Sequence, residues 1–229
     1  MGAIKFPHTS GNSMSIAAPA TNPASDLTLT LPATTGTDNE VLKTDGSGNL
    51  AWVGGSSIQV LEQFQSVCDG SVIPTSAGNV TMPTVTGSTA LTTSYIDLPG
   101  SAITYTPPTG TTQVIYKFIW NHARADDHAI ACYRFYVGGT EVTDARYTWG
   151  ATYTEGQIQF EWSINIGGTG VAATGRQATW TSGKELKMTT REYHSSHETV
   201  VHTSYLFDGF ASAQFHRPQI GITAIGVPS

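Results

Sequence analysis

Apolar and polar positions alternate with a period of two through most of this chain, and the apolar set thickens sharply near residue 57. Ile158, Phe160, Trp162, Ile164 and Ile166 alternate with Gln159, Glu161, Ser163 and Asn165 without a break, which predicts a half-buried strand. Val114, Tyr116, Phe118 and Trp120 predict a second, and Tyr133, Phe135 and Val137 a third. Gly138-Gly139-Thr140 predicts a hairpin turn into Glu141 and Val142. Leu186 and Met188 share a face of a strand over 185–192, and 199–205 and 219–225 complete the set. No window sustains an i, i+3, i+4 helical pattern with caps at its ends. Many strands separated by Gly, Pro and Asn turns predict an all-β chain whose 58–229 region is an antiparallel, jelly-roll-like β-sandwich.

Residues 1–57 read differently. Leu27, Leu29 and Leu31 alternate as in a strand, but few other apolar residues accompany them. Val41-Leu42-Lys43 and Leu50-Ala51-Trp52 flank a turn at 44–49, in which Gly46 and Gly48 are available for positive φ. A lone hairpin is marginal in water, so this segment needs a partner, and another copy of itself is the simplest one. Gly54-Gly55-Ser56-Ser57 reads as the linker. The expected organisation is an intertwined stem or attachment module over 1–57 and a sandwich over 58–229.

Charged residues are only 12% of the chain and the net charge is −6, with no run of Lys or Arg, which argues against a nucleic-acid partner. No apolar run approaches the ~20 residues of a membrane span, and no secretory signal is visible in residues 1–6. Cys68 and Cys132 make neither a disulfide framework nor a zinc site and are expected as free, buried thiols.

Candidate chemistry is sparse. His194, His197, Glu198 and His202 resemble a metal set, but His197 and His202 are five apart in a strand-like context and point to opposite faces. Asp126-Asp127-His128, close to His122 and Arg124, lacks a nucleophile motif and reads as a polar loop. Asp144, Glu155 and Glu161 qualify for glycoside hydrolysis by residue type alone. The glycine-rich Gly167-Gly168-Thr169-Gly170 opens no helix and reads as a turn, not a phosphate cradle. No catalytic, cofactor or metal residue is assigned. Aromatics in polar surroundings are the better lead: Tyr147, Trp149 and Tyr153 beside Arg146, and Tyr205, Phe207 and Phe210 beside Asp208. Arg146, Tyr147, Trp149 and Tyr153, read as a loop over 146–155, are the candidate receptor contacts.

The segments Phe6–Pro19, Asn22–Pro32 and Asn39–Trp52 resemble a module of phage tail-fibre and other virion proteins, especially in phages of cyanobacteria and other aquatic bacteria. Leu61-Glu-Gln-Phe, Cys68-Asp-Gly-Ser, Tyr105–Tyr116 and Gly221-Ile-Thr-Ala-Ile-Gly resemble a domain of the same proteins. The resemblance implies a homotrimeric virion protein, a slender β stem carrying a β-sandwich knob on the virion surface. Its partners would be other virion proteins of tail or capsid and a host-surface glycan or protein. Leu27, Leu29, Leu31, Leu42 and Trp52 are the expected trimer interface. With no separate docking domain ahead of the stem module, the module itself attaches to the virion or belongs to a distal tip. The alternative is a capsid decoration protein or short head fibre. A glycan depolymerase ranks behind both.

Overall fold

The structure, a computed structural model, describes all residues except 1, 2, 8, 18, 19, 22, 39, 56, 125–127, 153, 154, 208–212 and 229. The chain divides into two compact units, Met1–Ser56 and Ser57–Ser229. Among the described residues all regular secondary structure of any length is strand.

The first unit holds two antiparallel hairpins, β1 (Ala3–Pro7) with β2 (Ser13–Ala17), and β3 (Glu40–Thr44) with β4 (Leu50–Gly54). The turn between β3 and β4 is built by Asp45, whose Oδ1 accepts from Ser47 N at 2.8 Å and whose Oδ2 accepts from Asn49 Nδ2 at 2.8 Å. Gly48 (φ 94°) is required there twice over, because a Cβ would also sit 2.4 Å from the carbonyl oxygen of Thr28. The strand expected over 27–31 is not a full strand. It makes one parallel bridge, Thr30 to Asn49, through Thr30 N–Gly48 O and Leu50 N–Thr30 O, each 2.8 Å. An alternating sequence needs a neighbouring backbone to become a ladder, and among the described residues one is supplied only at Thr30.

The second unit contains β5 (Gln59–Val67), β6 (Val72–Thr75), β7 (Gly78–Thr81), β8 (Thr89–Ala90), β9 (Ile96–Asp97), β10 (Ile103–Tyr105) and β11 (Thr111–Arg124). It continues with β12 (His128–Val137), β13 (Thr140–Thr152), β14 (Gly156–Asn165), β15 (Lys184–Glu192), β16 (Thr199–Val201), β17 (Thr203–Ser204), β18 (Gln214–Phe215) and β19 (Gln219–Gly226). One sheet has β5, β19, β11 and β14 side by side; the other has β10, β15, β12 and β13. Counting these eight principal strands in chain order, the sheets read 1-8-3-6 and 2-7-4-5, the interleaved order of a double Greek key. The second unit is therefore a jelly-roll β-sandwich.

Its core follows the alternation. Tyr116 and Phe135 come from opposite sheets with ring centroids 4.9 Å apart, and Phe160 lies 5.3 Å from Phe135. Phe118, Trp120, Tyr133, Ile164, Leu186, Met188, Ile220 and Ile222 are buried around them. Trp162, although in the same alternating run, is half-buried, and its Nε1 donates to Thr174 O at 3.0 Å. β14 is the edge strand of its sheet, and there Trp162 packs against the core while its indole nitrogen is held by a loop carbonyl. The region expected as a strand over 199–205 is broken at His202, the one described non-glycine residue with positive φ (66°). The β12–β13 hairpin turns at Gly138 (φ 56°) and Gly139 (φ 80°), the two left-handed positions of a type I′ turn.

Candidate functional site

In the first unit Leu27, Leu29 and Leu31 are 75, 65 and 71% exposed, and Leu42 is 42% exposed. Three leucines within five residues, largely open to solvent, are an exposed apolar surface. Trp52 is held differently. It is half-buried, its Nε1 donates to Thr34 O at 2.7 Å, and its ring lies against Gly36, where a Cβ would approach to 2.7 Å. Its indole is thus engaged within its own chain.

In the second unit the expected 146–155 loop is a correction. Arg146, Tyr147 and Trp149 lie on β13, and Tyr153 falls outside the described residues. Tyr147 and Trp149 turn towards the sandwich interior. The Tyr147 ring stacks on Tyr133 at 4.9 Å and 15°, and Trp149 meets the His122 ring at 3.9 Å. Both are half-buried and pack on the core. The Gly, Thr and Arg neighbours that make this segment look like a loop are the outward residues of a strand with a wide bulge. Tyr133 pairs with Tyr147 but Phe135 with Val142, so residues 143–146 stand opposite Arg134 alone. A bulge of this kind bends the strand and re-aims its side chains.

What the bulge re-aims is Arg146. It reaches across the outer face of the sheet to Glu141, Nε to Oε1, 2.5 Å. Arg134, on the outward side of β12, also approaches Glu141 Oε1, at 3.5 Å, and its guanidinium lies over the Tyr95 ring, 3.9 Å from the centroid. Arg191, outward on β15, is 5.4 Å from the same centroid and is held by donation from Nη1 to Glu192 O (3.0 Å) and Tyr193 O (3.2 Å). Tyr95, Cys132, Arg134, Arg146 and Thr148 line a shallow pocket of about 360 Å³. Glu141 is held ionised by the hydrogen bond from Arg146, which lowers its carboxyl below the ordinary range. The sequence offered no signal for this cluster, because Tyr95, Arg134, Arg146 and Arg191 come from four separate segments.

A second polar group is buried at one end of the sandwich. His122 is fully buried, and its Nδ1 and the Tyr133 hydroxyl share a hydrogen bond of 2.7 Å. Burial drives the His122 pKa down to about 3. His202, also buried, bonds Pro99 O through Nε2 at 2.9 Å, and burial lowers its pKa to about 4. His202 therefore faces the interior, while His194 and Glu198 are exposed and His197 half-buried. Among the described residues no three His, Cys, Asp or Glu side chains group to hold a metal ion.

The other candidates are dispersed. Glu155 is taken up by the turn after β17, accepting from Tyr205 N (2.7 Å), Leu206 N (2.8 Å) and the Ser204 hydroxyl. Asp144 and Glu161 line one groove of about 290 Å³ between β13 and β14. Tyr205 is half-buried, Phe207 is 52% exposed, and Asp208, Phe210, Asp126 and Asp127 fall outside the described residues. Cys68 and Cys132 are free; Cys68 is buried, with its thiol pushed up to about 12 by desolvation, whereas Cys132 is half-buried because it sits on the outward side of β12. A cleft of about 750 Å³ lies among Leu61, Pro107, Pro108, Ile166, Trp180 and Pro228, with walls of apolar and hydroxyl side chains. Among the described residues no helix is long and apolar enough to cross a membrane.

No protein-family model matches the chain, and no curated protein matches it. Among solved structures it is similar to one of the infectious bursal disease virus Gx strain, at 9% identity and a TM-score of 0.33, over 98% of this chain and 50% of that one. It is also similar to the infectious bursal disease virus VP2 subviral particle, at 10% identity and a TM-score of 0.31, over 78% of this chain and 44% of that one. The chain thus spans about half the length of the chains it matches.

Proposed function

We propose that this chain is a phage virion structural protein, a homotrimeric fibre-type component that attaches through residues 1–57 and presents its jelly roll to the host surface. The observation that carries the reading is the exposure of Leu27, Leu29 and Leu31. A chain this poor in charge gains by burying such a surface, at roughly 25 cal/mol per Å² of apolar area. Closed cyclic symmetry gives each copy the same environment. The jelly roll suits the outer role, being a compact sandwich whose long loops and sheet faces carry contacts without disturbing the core. The resemblance of residues 6–52 to a virion stem module points the same way.

Two measurements test this. Light scattering should give three times the mass of one chain at micromolar concentration, and a stable monomer overturns the trimer. Microscopy of particles carrying the protein should place the jelly roll at the tail. Density on the capsid lattice instead assigns it to capsid decoration.

A further inference from the structure

We propose that the outer face of the β10-β15-β12-β13 sheet binds an acidic glycan, with Arg134 and Arg146 receiving the oxyanion beside Tyr95 and Arg191 adding positive charge near that ring. The inference rests on the host-attachment reading above and names its ligand class. Arg134 and Arg146 share the one carboxylate they pair with, Glu141, and Arg191 stands near the same tyrosine ring, on a chain whose net charge is −6. Such a local reversal of sign focuses attraction for an anion on one spot. The next charges along the sheet have the opposite balance, one lysine against two carboxylates: Lys187 lies between Asp97 (3.1 Å) and Glu185 (3.7 Å).

The guanidinium groups are arranged for capture. Arg146 makes its ion pair through Nε, the inner nitrogen, and its side chain remains 52% exposed. An incoming carboxylate or phosphate therefore meets the outer nitrogens, in the forked geometry that arginine offers such groups. Arg134 is fixed by Glu141 and by the Tyr95 ring, and Arg191 by two backbone carbonyls, so little ordering remains to be done on binding. Thr148 and Tyr95 add hydroxyl groups at the pocket wall. A volume of about 360 Å³ has the scale of a small-molecule subsite, one or two sugar rings, not of a protein interface. Glu141 acts as an internal competitor, occupying the arginines until a ligand oxyanion takes its place.

This makes two substitutions act in opposite directions. The test uses the full chain, titrated with an oligogalacturonate, its methyl-esterified form, a glutamate oligopeptide and inorganic phosphate, with binding read by calorimetry. Wild type should bind the oligogalacturonate and not the ester. Arg146→Gln should weaken binding about tenfold, the scale of one lost charge-assisted hydrogen-bond pair. Glu141→Gln should tighten it severalfold. Neither side chain belongs to the core cluster, and melting curves of both variants separate a loss of binding from a loss of fold. No binding by wild type overturns the proposal, as does equal binding by Arg146→Gln. Equal binding of the ester shows that the charge is not read. Phosphate or glutamate peptide binding as tightly as oligogalacturonate removes the glycan assignment. A trimer located on virions that binds none of these probes leaves the fibre reading standing and this inference refuted.

Discussion

At the scale of single residues, the buried histidines set the pH response. His122 and His202 keep pKa values of about 3 and about 4 in the folded chain, against 6.5 when unfolded. Below pH 6.5 the unfolded chain takes up protons that the folded chain refuses, so folding stability is full above that pH and falls as pH drops towards 4 and 3. Each unit of difference is worth about 1.4 kcal/mol. The melting temperature should fall progressively from pH 6.5 to pH 4, and His122→Gln should flatten that slope. An unchanged slope in the variant would show that His122 is protonated in the folded state at these pH values. Packing gives a second contrast. Phe160 is 7% exposed between Phe135, Tyr116 and Tyr147, and its replacement by Ala should cost about 3–5 kcal/mol in chemical denaturation. Trp162→Ala should cost less, since that ring is only half-buried. Equal losses would mean that Trp162 is as buried as Phe160. Periodicity placed both residues on one face, but it carries no information on which of them is fully buried.

At the scale of elements, the long strands were legible because a single rule governs them. In β11, β12 and β14 every second side chain points into the sandwich, and the alternation alone identifies which. β13 defeated that rule. Its 143–146 bulge shifts the register, so Tyr147 and Trp149 read as loop aromatics although they are strand residues facing inward. The 27–31 segment failed in the opposite direction: its alternation is strand-like, but among the described residues only Thr30 has a bridge partner. That one bridge depends on Gly48. Gly48→Ala should cost about 1–3 kcal/mol locally through the strained φ and the contact with Thr28 O. Amide hydrogen exchange should show faster exchange at Thr30 and Leu50, with jelly-roll amides unaffected. Unchanged exchange at those two amides would contradict the close approach at Gly48.

At the scale of the whole molecule, the chain divides into two compact units, and the effects of changes in each should separate too. Replacing Leu27, Leu29 and Leu31 together by Ser should reduce assembly in light scattering. The jelly-roll melting transition should stay in place, because no core residue of that unit is touched. A lost jelly-roll transition would show that its stability depends on the first unit. The candidate binding face belongs to this scale as well. Its arginines and Tyr95 meet only because β12, β13 and β15 lie side by side and the segment before β9 folds over them.

The amino-acid sequence by itself determined the class: all-β, antiparallel, dense in apolar residues after residue 57 and thin before it. Those properties follow from local period and composition, which any short window contains. Only the tertiary structure decided the interleaved strand order, the inward turn of Tyr147 and Trp149, the burial of His122 and His202, and the Arg134–Glu141–Arg146 cluster beside Tyr95. Each of these depends on which distant strand becomes a neighbour, and pairing between strands remote in sequence is set by the packing of two whole sheets, not by the pattern within either strand.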